Sequence, residues 1–106
     1  DMATALSGSG PCYVFLFMEA LVDAGVHLGF SQQVAEELVC QTVKGSAELA
    51  LQSTEHLASL RAQVTSPGGA SAEALYHLDK AGFRSALSRS VWAAYQRSIE
   101  LGRGSK

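Results

Sequence analysis

The residues of this chain best suited to chemistry are the two serines of Val64-Thr65-Ser66-Pro67-Gly68-Gly69-Ala70-Ser71. The helix-compatible run Ala72-Glu73-Ala74-Leu75 follows at once. Proline and two glycines force an irregular turn whose backbone N–H groups can point at a common centre. Ser66 and Ser71 flank that turn, and the helix behind it presents free amides and the positive end of its dipole. Such a loop is suited to hold a carboxylate or a phosphate. A plain loop with N-cap serines has the same composition, so the residue types alone leave both readings open.

Other groupings offer less. Gly8-Ser9-Gly10 has the start of a dinucleotide fingerprint, but Tyr13 stands where the third glycine belongs and no strand precedes it. A turn leading into the first helix accounts for it better. Glu19, Asp23 and His27 fall at i, i+4 and i+8 of one helix, the spacing of a ligand stripe. Metal sites of that kind draw on several facing helices, and no Glu-x-x-His pair occurs elsewhere, so no metal is expected. His56 and His77 stand alone as surface or helix-end groups. Ser66 lacks the Gly-x-Ser-x-Gly elbow of a nucleophile and makes better sense as a donor to an anion.

The elements that must position these residues read as five helices. Gly10-Pro11 opens the first, with proline where a missing N–H costs nothing, and Gly29 stops it after Leu28. Tyr13, Val14, Phe15, Leu16, Phe17, Met18, Leu21, Val22 and Val26 cover most of its circumference. A helix apolar nearly all round must be surrounded by others, and in a chain this small that points to burial against a second subunit. Ser31 caps the second helix with Phe30 packed over its first turn, and Val34, Leu38, Val43, Ala47 and Ala50 form its apolar stripe. Gly45 interrupts that helix at a cost of about 1 kcal/mol, which close approach by a neighbour would explain. Thr54 caps a short third helix carrying Leu57, Leu60 and Val64. A fourth runs from about Ser71 to Lys80 and stops at Gly82; a fifth carries Phe83, Leu87, Val91, Ala94 and Ser98 on one side and ends at Gly102. No segment alternates with period two long enough for a strand. The expected fold is all-α, a bundle of about five helices with short connections, interlocked with a second subunit.

Composition bounds the partners. The 106 residues make one domain, and eight basic against ten acidic residues give no reason to expect nucleic acid. Cys12 and Cys40 show no CxxC spacing and read as reduced core thiols, in keeping with a cytoplasmic location. The longest apolar run, Cys12 to Met18, is short for a bilayer and is followed by Glu19 and Asp23, so no membrane is expected. The chain runs into a helix almost at once from Asp1-Met2, as a fragment or a C-terminal domain would. Residues 1–102 form the helical domain, and 103–106 read as a flexible tail.

Ala5-Leu6-Ser7-Gly8-Ser9-Gly10-Pro11 and Met18-Glu19-Ala20-Leu21-Val22-Asp23-Ala24-Gly25-Val26 carry a family resemblance. So do Gln41-Thr42-Val43, Leu60-Arg61, Val64-Thr65-Ser66-Pro67-Gly68-Gly69 and Ala81-Gly82-Phe83-Arg84-Ser85-Ala86-Leu87. In order and with family-like gaps over residues 3 to 101, they resemble the C-terminal dimerisation domain of pyrroline-5-carboxylate reductase. The resemblance implies reduction of Δ1-pyrroline-5-carboxylate to L-proline by NADPH or NADH. It further implies an N-terminal Rossmann domain, absent from these residues, that holds the nucleotide. It implies a homodimer, assembled further in some members, whose active site lies between the nucleotide domain and the helical domains.

Carried onto this chain, the resemblance makes the Ser-Pro-Gly-Gly loop the holder of the substrate carboxylate. Ser66 matches the loop serine that donates its hydroxyl. Ser71 stands where threonine is usual, and the amides of Gly69, Ala70 and Ser71 are the expected backbone donors. No side chain is cast as a catalytic acid or base: the cofactor supplies the hydride, and the protein orients the imine carbon. Ala72 replaces a larger aliphatic residue, and Arg89 and Trp92 stand where acidic residues are common. Without a strand-glycine-helix unit, this chain alone should neither hold the cofactor tightly nor turn over. The helical domain of another nicotinamide-dependent reductase, or a helical dimerisation module without a substrate, are the readings to be tested against it.

Overall fold

The computed structural model describes residues 1–104. Among them are five α-helices and no strand, the all-α class expected. They are α1 (Gly10–Leu28), α2 (Gln32–Gln52), α3 (Leu57–Gln63), α4 (Ala70–Lys80) and α5 (Phe83–Gly104). They divide into two compact units, one of Cys12–Arg61 and one of Asp1–Pro11 with Ala62–Lys106.

In the first unit, α1 and α2 meet at a corner set by sequence. Gly29 takes a φ of 124°, its N–H donates to the Val26 carbonyl at 3.0 Å, and the Phe30 N–H donates to the Gly25 carbonyl at 3.1 Å. This pair of bonds is a Schellman motif, which closes the orphan carbonyls at the end of α1. Ser31 then starts α2: its Oγ accepts the Val34 N–H at 3.2 Å. Removing that acceptor leaves a helix amide without its partner, so Ser31→Ala is expected to lower stability by about 1 kcal/mol. Urea denaturation followed by circular dichroism reads this as a lower midpoint at an unchanged slope.

Close helix approach occurs at Gly25, not at Gly45 as its place in α2 suggested. A Cβ on Gly25 would lie 3.2 Å from the Ala35 Cβ, whereas one on Gly45 would meet nothing within 4 Å. On α2 the face turned inward follows the expected stripe only in part, at Val43 and Ala50. Ala35 is buried and Val39, Val43 and Ala50 are half-buried, while Val34 and Leu38 are exposed. Only Val22 of α1 is buried. The thiols of Cys12 and Cys40 are free, but both residues are exposed rather than part of a core within this chain. Connecting α2 to α3, Ser53 Oγ accepts the Glu55 N–H at 3.0 Å. The helix then opens at Leu57, not after Thr54, because the His56 carbonyl accepts the N–H groups of Ser59 and Leu60.

The second unit holds α4, α5 and a short π-helical turn at Thr4–Gly8, closed by the Ser9 N–H donating to the Thr4 carbonyl at 2.8 Å. That turn buries Ala5 and packs on α5. Nothing in the Gly8-Ser9-Gly10 spacing anticipated it. Gly82, at φ 80°, ends α4 and begins α5: its N–H donates to the Asp79 carbonyl and its own carbonyl accepts from the Ala86 N–H. Arg84 Nε reaches back over this corner to Asp79 Oδ1 at 3.2 Å. Phe83, Val91, Ala94 and Ser98 line the half-buried side of α5 as expected, while Leu87 is exposed. The helix continues past Gly102 to Gly104, because a single exposed glycine weakens a helix without forcing a stop. Ser105 and Lys106, the rest of the expected tail, lie outside the described residues.

Very little apolar surface is buried. Among the described residues the buried hydrophobic ones are Ala5, Val22 and Ala35, while Phe15 is 62% exposed, Leu16 67% and Trp92 61%. Within the helical stretch Thr4–Leu28, an 18-residue window reaches a mean hydropathy of 1.4, with 11% of that window buried. By length and composition it could cross a membrane, which the shorter run Cys12–Met18 did not suggest. The helix of a protein core satisfies the same two criteria.

Candidate functional site

Ser66-Pro67-Gly68-Gly69 forms a tight turn at the head of α4. The Gly69 N–H donates to the Ser66 carbonyl at 3.0 Å, and Gly68, the third residue of the four, has a φ of 72°. This is a type II β-turn, in which proline presets the second position and only glycine readily supplies the positive φ of the third. Gly69 then serves as the N-cap of α4, with φ −86° and ψ 177°, and its carbonyl accepts the Glu73 N–H at 3.1 Å. No side chain caps the helix: neither serine takes the N-cap hydrogen bond of the plain-loop reading.

Three amides, those of Ala70, Ser71 and Ala72, precede the first helical hydrogen bond of α4. Their N–H groups point out of the helix N-terminus with its partial positive charge. Ser66 and Ser71 are exposed on this surface, and among the described residues neither hydroxyl has a hydrogen-bond partner in the chain. Ala72 and Leu75, in the first turns of the helix, are half-buried. The arrangement brings Ser66, Gly69, Ala70 and Ser71 into one short stretch, with two free hydroxyls and a run of free amides. It can solvate a small anion: each hydrogen bond to a charged oxygen is worth about 1.5–3 kcal/mol when water is excluded.

The backbone assigns one amide differently from the sequence expectation. The Gly69 N–H is engaged by the Ser66 carbonyl, whereas the Ala72 N–H, not singled out in the sequence, belongs to the free set. The signal was available: proline followed by glycine at the centre of four residues specifies the internal bond of a type II turn.

The other candidates stay dispersed. Glu19, Asp23 and His27 are all exposed, and no group of three or more potential ligands suited to a metal occurs among the described residues. His77 has a partner after all, its Nε2 lying 3.3 Å from Glu73 Oε1 one turn earlier on α4, with both side chains exposed. Arg89 Nε donates to the Ser85 carbonyl at 3.4 Å, and the Trp92 ring lies 5.4 Å from that of Tyr95.

Comparison with known proteins gives the family. A family model described as pyrroline-5-carboxylate reductase dimerisation matches residues 1–101. The chain is similar to pyrroline-5-carboxylate reductase of Synechocystis sp., with 50% identity over 97% of this chain and 39% of that protein. The Mycobacterium tuberculosis reductase is 47% identical over 95% of this chain and 40% of its own length. Among solved structures, Plasmodium falciparum pyrroline carboxylate reductase with NADP bound superposes with a TM-score of 0.93 at 44% identity, over 96% of this chain and 41% of that one. The Coxiella burnetii pyrroline-5-carboxylate reductase gives 0.92 at 43% identity, over 94% and 37%. The chain therefore spans well under half the length of the relatives it matches. By the match across residues 1–101 and these identities, the chain belongs to the pyrroline-5-carboxylate reductase dimerisation family.

Proposed function

We propose that this chain is the dimerisation and substrate-binding part of a pyrroline-5-carboxylate reductase, which reduces 1-pyrroline-5-carboxylate to L-proline with NADPH or NADH. The observation that carries the reading is the pair of hydroxyls of Ser66 and Ser71, without a hydrogen-bond partner among the described residues, inside the stretch that the family model matches. The hydroxyls of Ser66 and Ser71 and the amides of Ala70 and Ser71 hold the substrate carboxylate, with Gly69 at the head of the helix. Fixing that end of a five-membered ring leaves its C=N carbon to be presented to the nicotinamide. The cofactor supplies the hydride; the chain orients the imine and neutralises the carboxylate. A nucleotide-binding domain outside these residues holds the cofactor, and the 106 residues alone are expected to be inactive.

The same reading makes the protein a homodimer in which α1 of each subunit is interlocked with helices of the other. The exposed apolar circumference of α1 then faces a partner subunit rather than lipid, and Cys12 and Cys40 remain thiols in a reducing cytoplasm. Joining the chain to the nucleotide domain of the Synechocystis reductase and following NADPH oxidation at 340 nm tests the assignment. Turnover with pyrroline-5-carboxylate is expected. Turnover only with a hydroxy or keto acid would move the chain to another reductase, and a chimera that binds NADPH but turns over neither would reduce it to a dimerisation module.

A further inference from the structure

We infer that Gly69 is a positioning residue of the carboxylate site: it acts through Ser66, and its own amide is not a ligand donor. This assignment rests on the substrate-binding reading given above. Gly69 has φ −86°, a conformation open to any amino acid, so the backbone alone does not require glycine here. What requires it is the neighbour. A Cβ on Gly69 would lie 3.2 Å from the Ser66 carbonyl oxygen and 3.3 Å from the Ser66 Cβ. Both separations are tighter than ordinary van der Waals contact, so Ser66 would have to shift by a few tenths of an ångström.

Ser66 has little freedom to do so harmlessly. Its carbonyl is fixed by the Gly69 N–H at 3.0 Å, and Pro67 and the positive φ of Gly68 set the path between them. A new methyl group would press on the carbonyl oxygen that closes the turn and on the Cβ that carries the hydroxyl. Gly69 thus does two jobs through one residue: its amide closes the turn on Ser66, and its missing side chain leaves Ser66 in place. The carboxylate donors of the backbone begin one residue later, at Ala70.

Steady-state kinetics of the full-length reductase containing this chain test the assignment, with Ser66→Ala, Gly69→Ala and the double variant compared. Acting through Ser66, Gly69→Ala is expected to raise KM for pyrroline-5-carboxylate on the order of tenfold, as Ser66→Ala does. KM for NADPH, dimer mass and helix content should not move. The double variant is expected to be no worse than the poorer single variant, because two changes acting on one hydrogen bond do not add. Pro67→Ala, which loosens the turn without crowding it, should shift KM in the same direction by a few-fold, and keeps the test open should Gly69→Ala fail to fold. Multiplicative losses in the double variant, or a normal KM in Gly69→Ala or Pro67→Ala beside a raised one in Ser66→Ala, would overturn the positioning role alone. Normal KM values in all of them would overturn the carboxylate site itself.

Discussion

Phe15→Asp is expected to abolish the dimer. Phe15 lies on α1 and is 62% exposed within a single chain, beside Leu16 at 67% and one helical turn from further apolar residues. A phenylalanine moved from water to a packed interface gives roughly 2 kcal/mol, and a two-fold axis applies each substitution twice. The loss of apolar burial alone then approaches 4 kcal/mol, which raises a dissociation constant about a thousandfold. A carboxylate left without a partner in an apolar interface adds to this. Because three residues are the whole buried hydrophobic core among those described, the separated chains have little to hold them folded. Sedimentation should therefore show loss of the dimer together with loss of helical circular dichroism, concentration-dependent in the unsubstituted chain. A well-folded monomer of the unsubstituted chain at micromolar concentration would contradict the interlocked dimer, and an intact Phe15→Asp dimer of unchanged melting temperature would place Phe15 off the interface.

The dimer was legible because the periodicity of α1 fails in an informative way. A helix that covers a core shows one apolar stripe, whereas residues 13–18 are apolar without interruption. Helix ends were equally legible where a side chain or glycine dictates them: Gly29, Ser31 and Gly82 act where expected. Other features depend on what packs where. Gly25 and Gly45 look alike in sequence, and only the approach of Ala35 distinguishes them. The inward face of α2 took in Ala35 and Val39 beside the expected Val43 and Ala50, while Val34 and Leu38 are left uncovered by this chain. Thr54 is a good capping residue with no helix immediately behind it, since Ser53 already turns the chain through the Glu55 amide. The turn at Ser66 was visible from its proline and glycines, but which amides remain free follows from the turn's internal bond.

That distinction governs the expected kinetics of Ser66→Ala and Ser71→Ala. A carboxylate carries its charge unchanged from bound substrate to transition state, since hydride arrives at the ring carbon and not at the acid group. A hydroxyl that donates to it therefore stabilises both states alike, and its removal should raise KM while leaving kcat near its original value. One hydrogen bond to a charged oxygen, at about 1.5–3 kcal/mol, corresponds to roughly a 10- to 100-fold rise in KM. In the proposed site the two serines share one ligand, so their losses are not expected to add fully. Ser71→Thr offers the complementary case: threonine keeps the hydroxyl, and α4 tolerates a β-branched residue in its first turn, so KM should stay within a few-fold. Steady-state kinetics of the full-length enzyme, with pyrroline-5-carboxylate varied at saturating NADPH, distinguish these cases. A large fall in kcat at unchanged KM would mean that the serines act on the reacting carbon rather than on the carboxylate. Equal KM in all three variants would remove the loop from substrate binding and leave α4 with a turn of structural use only.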